Sequence, residues 1–347
     1  MSAPLSFPWE APPGEGEAIE VGENALWMRL PLPMALDHVN VYAFWDDDGW
    51  TIIDTGFDTH RSRKIWEKLL SGPLGGKPVA RVIVTHHHPD HVGLAGWFQR
   101  DHGADLITTR TAWLFARMLL LDEQMVPVDE TLAYWRSAGM HEEVLDERKH
   151  ARPFNYIDIV ADMPLGFRRV KEGDAIRFGG RTWDVRIGNG HAPEHATFWS
   201  RDCELVLGGD QLLATISPNL GVYATEPEAD PVGDWLDSCT RLAPYARDSH
   251  LVLPGHKLPY RGLPTRMRQL INNHHSALER VLGFLRTPHT AVDCFPALYG
   301  RKIGAGEYGL ALVEAMGHLN HLLHTGQVTR RRRKDGAWAW QRKASHG

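Results

Sequence analysis

The chain has 347 residues, 43% apolar and 23% charged, with a formal net charge of −5. That composition is ordinary for a folded globular protein, and the length suits one large domain with a smaller companion. The acidic balance argues against a surface that binds nucleic acid indiscriminately. Three widely spaced cysteines (Cys203, Cys239 and Cys294) argue against a disulfide framework.

Residues 1–24 are acidic and rich in Pro and Gly, with no basic start and no apolar stretch, so they read as a flexible arm rather than a secretory signal. No run reaches the roughly 18 apolar residues of a membrane span; the expected setting is cytoplasmic, with no membrane partner. Strands are expected at 25–30, 39–45 and 50–54, the last two joined by Asp46-Asp-Asp-Gly49, a hairpin turn. Apolar spacing predicts a helix over 60–71, ended by a Gly/Pro-rich stretch. A strand over 79–85 and a helix from about 91 to 102 follow. Residues 110–165, rich in Trp, Met, Leu and Tyr, read as helices inserted between two strands. Strands resume near 166–170, 181–187, 196–200 and 204–207. A helix at 233–246 and a strand at 251–253 close the first domain, read as 25–263. Residues 264–347 read as three helices (265–286, a short one near 290–298, 306–325) and a hairpin with Asp335-Gly336 in its turn, a winged-helix-like layout.

Five apolar runs end on His or Asp. Arg81–His91 carries His86-x-His88-x-Asp90-His91; the others end on Asp54, His191, Asp210 and His256. Imidazole and carboxylate suit zinc, manganese or iron. Side-chain alternation on a strand lets His86 and His88 grip one ion while His87 points away. The expected set is His86, His88 and His191 on a first metal, and Asp90, His91 and His256 on a second, with Asp210 shared.

These segments resemble the metallo-β-lactamase superfamily. The matching pieces are Asp54-Thr-Gly56, Thr85-His-His-His-Pro-Asp-His91, Gly190-His-Ala-Pro-Glu-His195, Gly208-Gly-Asp210 and Pro254-Gly-His256, in the family's order over residues 25–260. The resemblance implies an α/β (α+β) αββα sandwich. It is specific for the fold and weakly informative about substrate. Asp210 stands where the commonest true β-lactamases carry Cys, and His88 where flavodiiron enzymes carry Glu. The pattern is similar to glyoxalase II-like hydrolases, lactonases and thioesterases, and to a lactamase-like endoribonuclease group that also has a winged-helix-like C-terminal domain.

The expected activity is therefore hydrolysis of a small acyl compound (thioester, lactone or ester), with a hydroxide bridging two divalent ions, zinc before manganese or iron. Asp90 is expected to orient the nucleophile and Asp210 to bridge. Asp54 is expected behind the ligands, accepting an imidazole N–H; His195 either orients the site or fills core. Tyr223 is a candidate substrate contact, although packing is its plainer reading; the aromatic and Met stripe of the insertion, with Tyr134 and Trp135, could be core but reads as a substrate cap with an apolar pocket beside the site. His274 and His275 read as surface or interface residues. The run Arg330–Arg333 with Lys334 leaves an endoribonuclease as the alternative, with Trp338 and Trp340 available for stacking; a mono-iron persulfide dioxygenase is the other. A homodimer is a possible assembly.

Overall fold

The computed structural model describes residues 3–344. Its backbone groups into two compact units, Met1–Glu123 with Phe154–Pro218 and Leu242–Met267, and Gln124–Pro153 with Asn219–Arg241 and Arg268–Gly347.

The first unit is built on two sheets. β1 (Ile19–Gly22), β2 (Ala25–Pro31), β3 (His38–Asp46) and β4 (Gly49–Ile53) form an antiparallel meander. Next come α1 (His60–Ser71), β5 (Val79–Ile83), the short α2 (Pro89–Val92), α3 (Ala95–His102), β6 (Asp105–Thr108) and α4 (Arg110–Leu121). In the second unit lie α5 (Asp129–Ser137) and α6 (Glu142–Arg148), after which β7 (Arg168–Arg169) completes a seven-stranded sheet in the order β1 to β7. β8 (Ala175–Phe178), β9 (Arg181–Gly188), β10 (His195–Ser200) and β11 (Leu205–Gly209) precede α7 (Pro231–Leu242), which lies in the second unit but for its last residue, and β12 (Leu251–Pro254). The five-stranded sheet has the order β12-β11-β10-β9-β8.

Alternation on β2 and β3 divides their side chains between two cores. Met28, Leu30, Val39, Val41 and Ala43 pack with Trp66 of α1 and Phe98 of α3, and Trp27, Tyr42 and Phe44 pack with Phe178, Trp183 and Phe198 of the other sheet. A strand buried on both faces reads as a continuous apolar run, as β3 does. Each large side chain so buried contributes about 1.5–3 kcal/mol.

The amino-terminal segment differs from a flexible arm. β1 adds Val21 to the intersheet core, Ser6 and Arg261 exchange backbone hydrogen bonds at 3.3 and 2.9 Å, and Trp9 meets the edge of Trp27 at 5.9 Å. Strands β6 and β8 are absent from the expected elements. β6 is the neighbour of β7, paired Ile107 to Arg168, so the inserted helices interrupt a sheet between adjacent strands.

In the second unit α8 (Leu263–Phe284, mostly in this unit), α9 (Phe295–Tyr299), α10 (Tyr308–His324) and the hairpin β13 (Val328–Arg332)–β14 (Trp338–Arg342) follow in order. The sides of α10 are apolar nearly all round, with Leu312, Met316, Leu319 and Leu322 buried. His274 is buried rather than on the surface, its ring 4.9 Å from Trp235 and 5.5 Å from His318, whereas His275 is exposed. The hairpin corrects the stacking expectation: Trp340 is fully buried, and Arg330 lies over both tryptophan rings while its guanidinium pairs with Glu228 at 2.7 Å. Among the described residues no helix is long and apolar enough to cross a membrane.

Candidate metal centre

Strand direction gathers the polar segments. β5 runs parallel to β4; β9 and β11 both run antiparallel to β10, and β12 runs parallel to β11. Within each sheet these strands therefore end at the same edge. Asp54 follows β4, the His86–His91 stretch follows β5, and His191, Asp210 and His256 follow β9, β11 and β12.

All seven expected ligands lie in the first unit. His86, His88 and His191 bring donor atoms within 4.8 Å of one another, as do Asp90, His91 and His256; a third group joins Asp210 to His86 and His91. Asp210 stands between the other two. Its Oδ2 is 3.3 Å from Nε2 of both His191 and His256, and its Oδ1 is 3.5 Å from His91 Nε2. Asp90 Oδ2 lies 3.2 Å from His256 Nε2 and 3.5 Å from His91 Nε2. His88, Asp90 and His191 are the partly exposed members, so the cluster opens to solvent there.

The motif is not on a strand. β5 ends at Ile83, because the Thr85 N–H leaves the ladder and donates to Asp54 Oδ1 at 2.8 Å. The two-residue alternation still holds in the extended segment: the His87 ring turns away to Phe115, 4.9 Å between centroids. Pro89 opens α2 at a position where its missing N–H costs nothing.

Hydrogen bonds behind the rings set their tautomers. The His91 Nδ1–H donates to Asp54 Oδ2 at 2.8 Å, and that of His256 to the His38 carbonyl at 2.9 Å. The Thr85 hydroxyl donates to Asp54 Oδ2 at 2.9 Å, so it accepts from His86 Nδ1 at 3.0 Å. Each ring then keeps its Nδ1 proton outward and turns Nε2 inward. Asp54 accepts all three donors from a backbone at φ +58, a left-handed conformation that Asp tolerates better than most residues. His195 does not join the cluster through Nε2, which accepts the Asp210 N–H at 3.0 Å and so fixes the Asp210 backbone.

Other supports had no sequence signal. Asn40 donates to the carbonyls of Pro254 and Lys257 at 2.9 and 2.7 Å, and Tyr42 donates to that of Pro254 at 2.8 Å. Together they clamp the turn that carries His256. At Gly255 a Cβ would come within 2.1 Å of Asp210 Oδ1 and 2.8 Å of His91 Cε1. The Tyr156 hydroxyl donates to the His87 carbonyl.

Electrostatics divide the histidines. Burial, reinforced by neighbouring imidazoles, holds His86 and His88 well below the ordinary histidine value and takes His195 to about 3. Burial opposes charge on His91 and His256 as well, but the Asp90 and Asp210 carboxylates outweigh it, raising His91 well above its usual value and His256 to about 10. The same histidines, against burial, keep Asp90 low and Asp210 well below its ordinary range. His86 Nε2, His91 Nε2 and Asp210 Oδ1 are buried and have no hydrogen-bond partner. Convergent buried polar atoms left unmet are costly alone, and a divalent cation, displacing the proton that the carboxylates favour on His91, satisfies them. The residues therefore fit metal.

Tyr134, Trp135 and Tyr223 belong to the second unit. The Tyr134 hydroxyl is buried on the Val222 carbonyl, Trp135 lies under the Arg148 guanidinium, and Tyr223 is half exposed.

The family model described as the metallo-beta-lactamase superfamily matches residues 34–284, and one for a metallo-beta-lactamase-like C-terminal domain matches 278–343. A Bacillus subtilis (strain 168) protein named "Probable metallo-hydrolase YqjP" is 26% identical over 309 residues, 86% of this chain and 92% of that protein. The crystal structure of a beta-lactamase domain protein from Burkholderia ambifaria has 34% identity and a TM-score of 0.90, with 98% of each chain covered. A metallo-beta-lactamase family protein from Thermus thermophilus has 27% identity and a TM-score of 0.77, covering 93% of this chain and 100% of its own. With the superfamily model matching most of the chain and a 34% identical relative covering 98% of it, the chain belongs to the metallo-beta-lactamase superfamily.

Proposed function

We propose that the protein is a binuclear metal-dependent hydrolase of a small acyl compound, a thioester, lactone or ester. The observation that carries this reading is the placement of Asp210 between two donor groups, His86/His88/His191 and Asp90/His91/His256, with rings already set to offer Nε2. A relative named a metallo-hydrolase supports the hydrolytic class. Zinc is the first choice for such a nitrogen and carboxylate set, with manganese or iron as alternatives. Divalent cations bound there supply Lewis acidity toward an acyl oxygen and acidify water to near neutrality.

The chain's own residues do the rest. Asp54, through His91 and Thr85, keeps the ring protons pointing away from the site. His195 holds the Asp210 backbone, and Asn40 and Tyr42 hold the turn of His256. Asp90 is the more exposed of the two inner carboxylates, 16% against 7% for its side chain; it is the one that water and substrate reach, and it orients the attacking water.

The endoribonuclease reading has weaker support, because Trp340 is buried and Arg330 is already paired with Glu228. A mono-iron oxygenase needs only the first donor group and leaves the second without a purpose. Metal content per chain, measured with hydrolysis of thioesters, lactones and single-stranded RNA with and without chelator, tests the proposal. About two ions per chain and chelator-sensitive acyl hydrolysis are expected. One iron per chain, or cleavage of RNA alone, would refute it.

A further inference from the structure

Helix α4, in the first unit, is apolar on two opposite sides. Ala112, Ala116 and Leu120 are buried on one. The other carries Leu114, Met118 and Leu121 on successive turns, 50%, 44% and 83% exposed. A surface helix ordinarily turns polar residues to water, and a contiguous apolar patch marks a binding surface. More apolar surface borders this one. The turn Tyr156–Asp158 packs against α4 and carries exposed Ile157, with exposed Phe154 two residues before it. The Pro164 carbonyl, beside exposed Leu165, accepts the Trp113 Nε1–H at 3.1 Å. Arg117 is turned aside from the stripe, its guanidinium 5.2 Å over the Trp113 ring and donating to the Met163 carbonyl at 3.2 Å.

The stripe starts at the metal centre. Thr111, one turn before Leu114, donates its N–H at 2.8 Å to Glu194, three residues past His191. Phe115 places its ring 4.9 Å from that of His87, which stands between His86 and His88 and 4.8 Å from the His88 ring. Tyr156, in the bordering turn, donates its hydroxyl to the His87 carbonyl. Phe115 and His88 are both partly exposed, so the open side of the centre and the head of the stripe flank the same residue.

We propose that this stripe holds the acyl chain of the substrate, and that the chain is a long, unbranched hydrocarbon. Its carbonyl end lies at the metal centre, and its methylenes run along Leu114, Met118 and Leu121. These three side chains offer no hydrogen bond and no charge, so the occupant they suit is apolar along its length. From Thr111 to Leu121 the helix rises about 15 Å, roughly the reach of an extended twelve-carbon chain. The inference rests on the acyl-hydrolase reading for the bond that is cleaved, but adhesion of the chain to α4 stands apart from catalysis.

The test uses a series of acyl-N-acetylcysteamine thioesters, from acetyl to tetradecanoyl, and begins with calorimetry on the metal-stripped full chain, where binding is read without turnover. Affinity is expected to rise about twofold per methylene, about half the gain of complete burial, because one side of the chain stays in water. The rise should level off near about twelve carbons. Leu121→Gln, at the far end, is expected to bring that plateau down to about eight carbons, and Leu114→Gln, at the near end, to weaken every chain longer than about four. Both positions are exposed, so melting temperatures should not change. In the zinc-loaded chain KM should fall along the same series at similar kcat. Affinity independent of chain length, or a rise that the two substitutions leave unaltered, overturns the stripe whatever is hydrolysed. A dimer in sedimentation that Leu121→Gln dissociates, with the chain-length series intact, overturns it in favour of a second copy of this chain. A rise that follows the two substitutions, with no thioester hydrolysed, supports the stripe and overturns the acyl-hydrolase reading instead.

Discussion

Asp54→Asn exposes the logic of the centre, because it changes protons without changing shape. The Asp54 Oδ1 accepts the Thr85 N–H and Oδ2 accepts both the Thr85 hydroxyl and the His91 Nδ1–H. In the variant the amide oxygen must stay on the Thr85 N–H, which places the NH2 against the other two. His91 Nδ1 then becomes an acceptor, and its proton moves to Nε2. The Thr85 hydroxyl also becomes an acceptor toward Asn; its own proton turns to His86 Nδ1, and His86 moves its proton to Nε2 as well. One atom exchanged thus points a proton inward from a ligand in each donor group. Restoring either lone pair leaves a buried N–H or O–H facing another donor without an acceptor, about 1–3 kcal/mol, so each ion should bind roughly 5- to 100-fold more weakly. Competition against a chromophoric chelator, starting from stripped protein, reads both equivalents. Thr85→Val is the control: it cuts the link to His86 alone, so only one equivalent should weaken. Asp54→Asn with both affinities unchanged, or with one changed and Thr85→Val silent, would refute the tautomer argument.

Gly255→Ala puts a methyl group on Asp210 Oδ1 and His91; metal binding should drop at least tenfold, with far-ultraviolet dichroism retained, and full metal occupancy would contradict the packing described. Asn40→Ala strands the fully buried Trp27 N–H, which donates to Asn40 Oδ1 at 2.8 Å, and frees the His256 turn. The cost of about 1–3 kcal/mol should lower Tm by several degrees, and an unchanged melting curve would count against the clamp. In the second unit burial pushes Glu314 up to about 7, against the hydrogen bonds from Tyr299 and Asn219. A carboxyl raised above its unfolded value keeps a proton that the unfolded chain has lost, so stability falls as pH rises from about 4.5 to about 7, by roughly 3 kcal/mol at most. Glu314→Gln should flatten that decline in thermal scans between pH 5 and 8; an identical slope would show that other groups cause it.

Elements with strong local patterning were legible. The turn Asp46-Asp-Asp-Gly49 marks the β3–β4 hairpin, and α1 spans 60–71 as its spacing predicts, with Thr59 capping it by accepting the Ser62 N–H. Short strands with little periodicity were not. β6 and β8 have four residues each, and β1 is defined by its pairing with β2 rather than by its own composition. Faces were also ambiguous: Trp338 and Trp340 share a side of β14, yet only Trp340 is fully buried. His274 on α8 had no signal to separate it from exposed His275, since burial there depends on Trp235 and on His318 from α10.

The ligands could be read from sequence because a cation demands particular side chains, and the fold delivers them just past apolar runs. Their supports could not, because a support need only offer a hydrogen-bonding atom, and any backbone carbonyl will serve. The His256 ring is oriented by the carbonyl of residue 38, and its turn is clamped by Asn40 across 214 positions. Thr85 is the instructive exception. It adjoins the motif, its hydroxyl both donates and accepts, and so it joins Asp54 to His86 as no purely accepting or purely donating side chain would. Replacing it with Ser should preserve both metal equivalents, whereas Val should lose one. That contrast separates a hydroxyl retained for proton placement from a β-branched residue retained for the extended backbone.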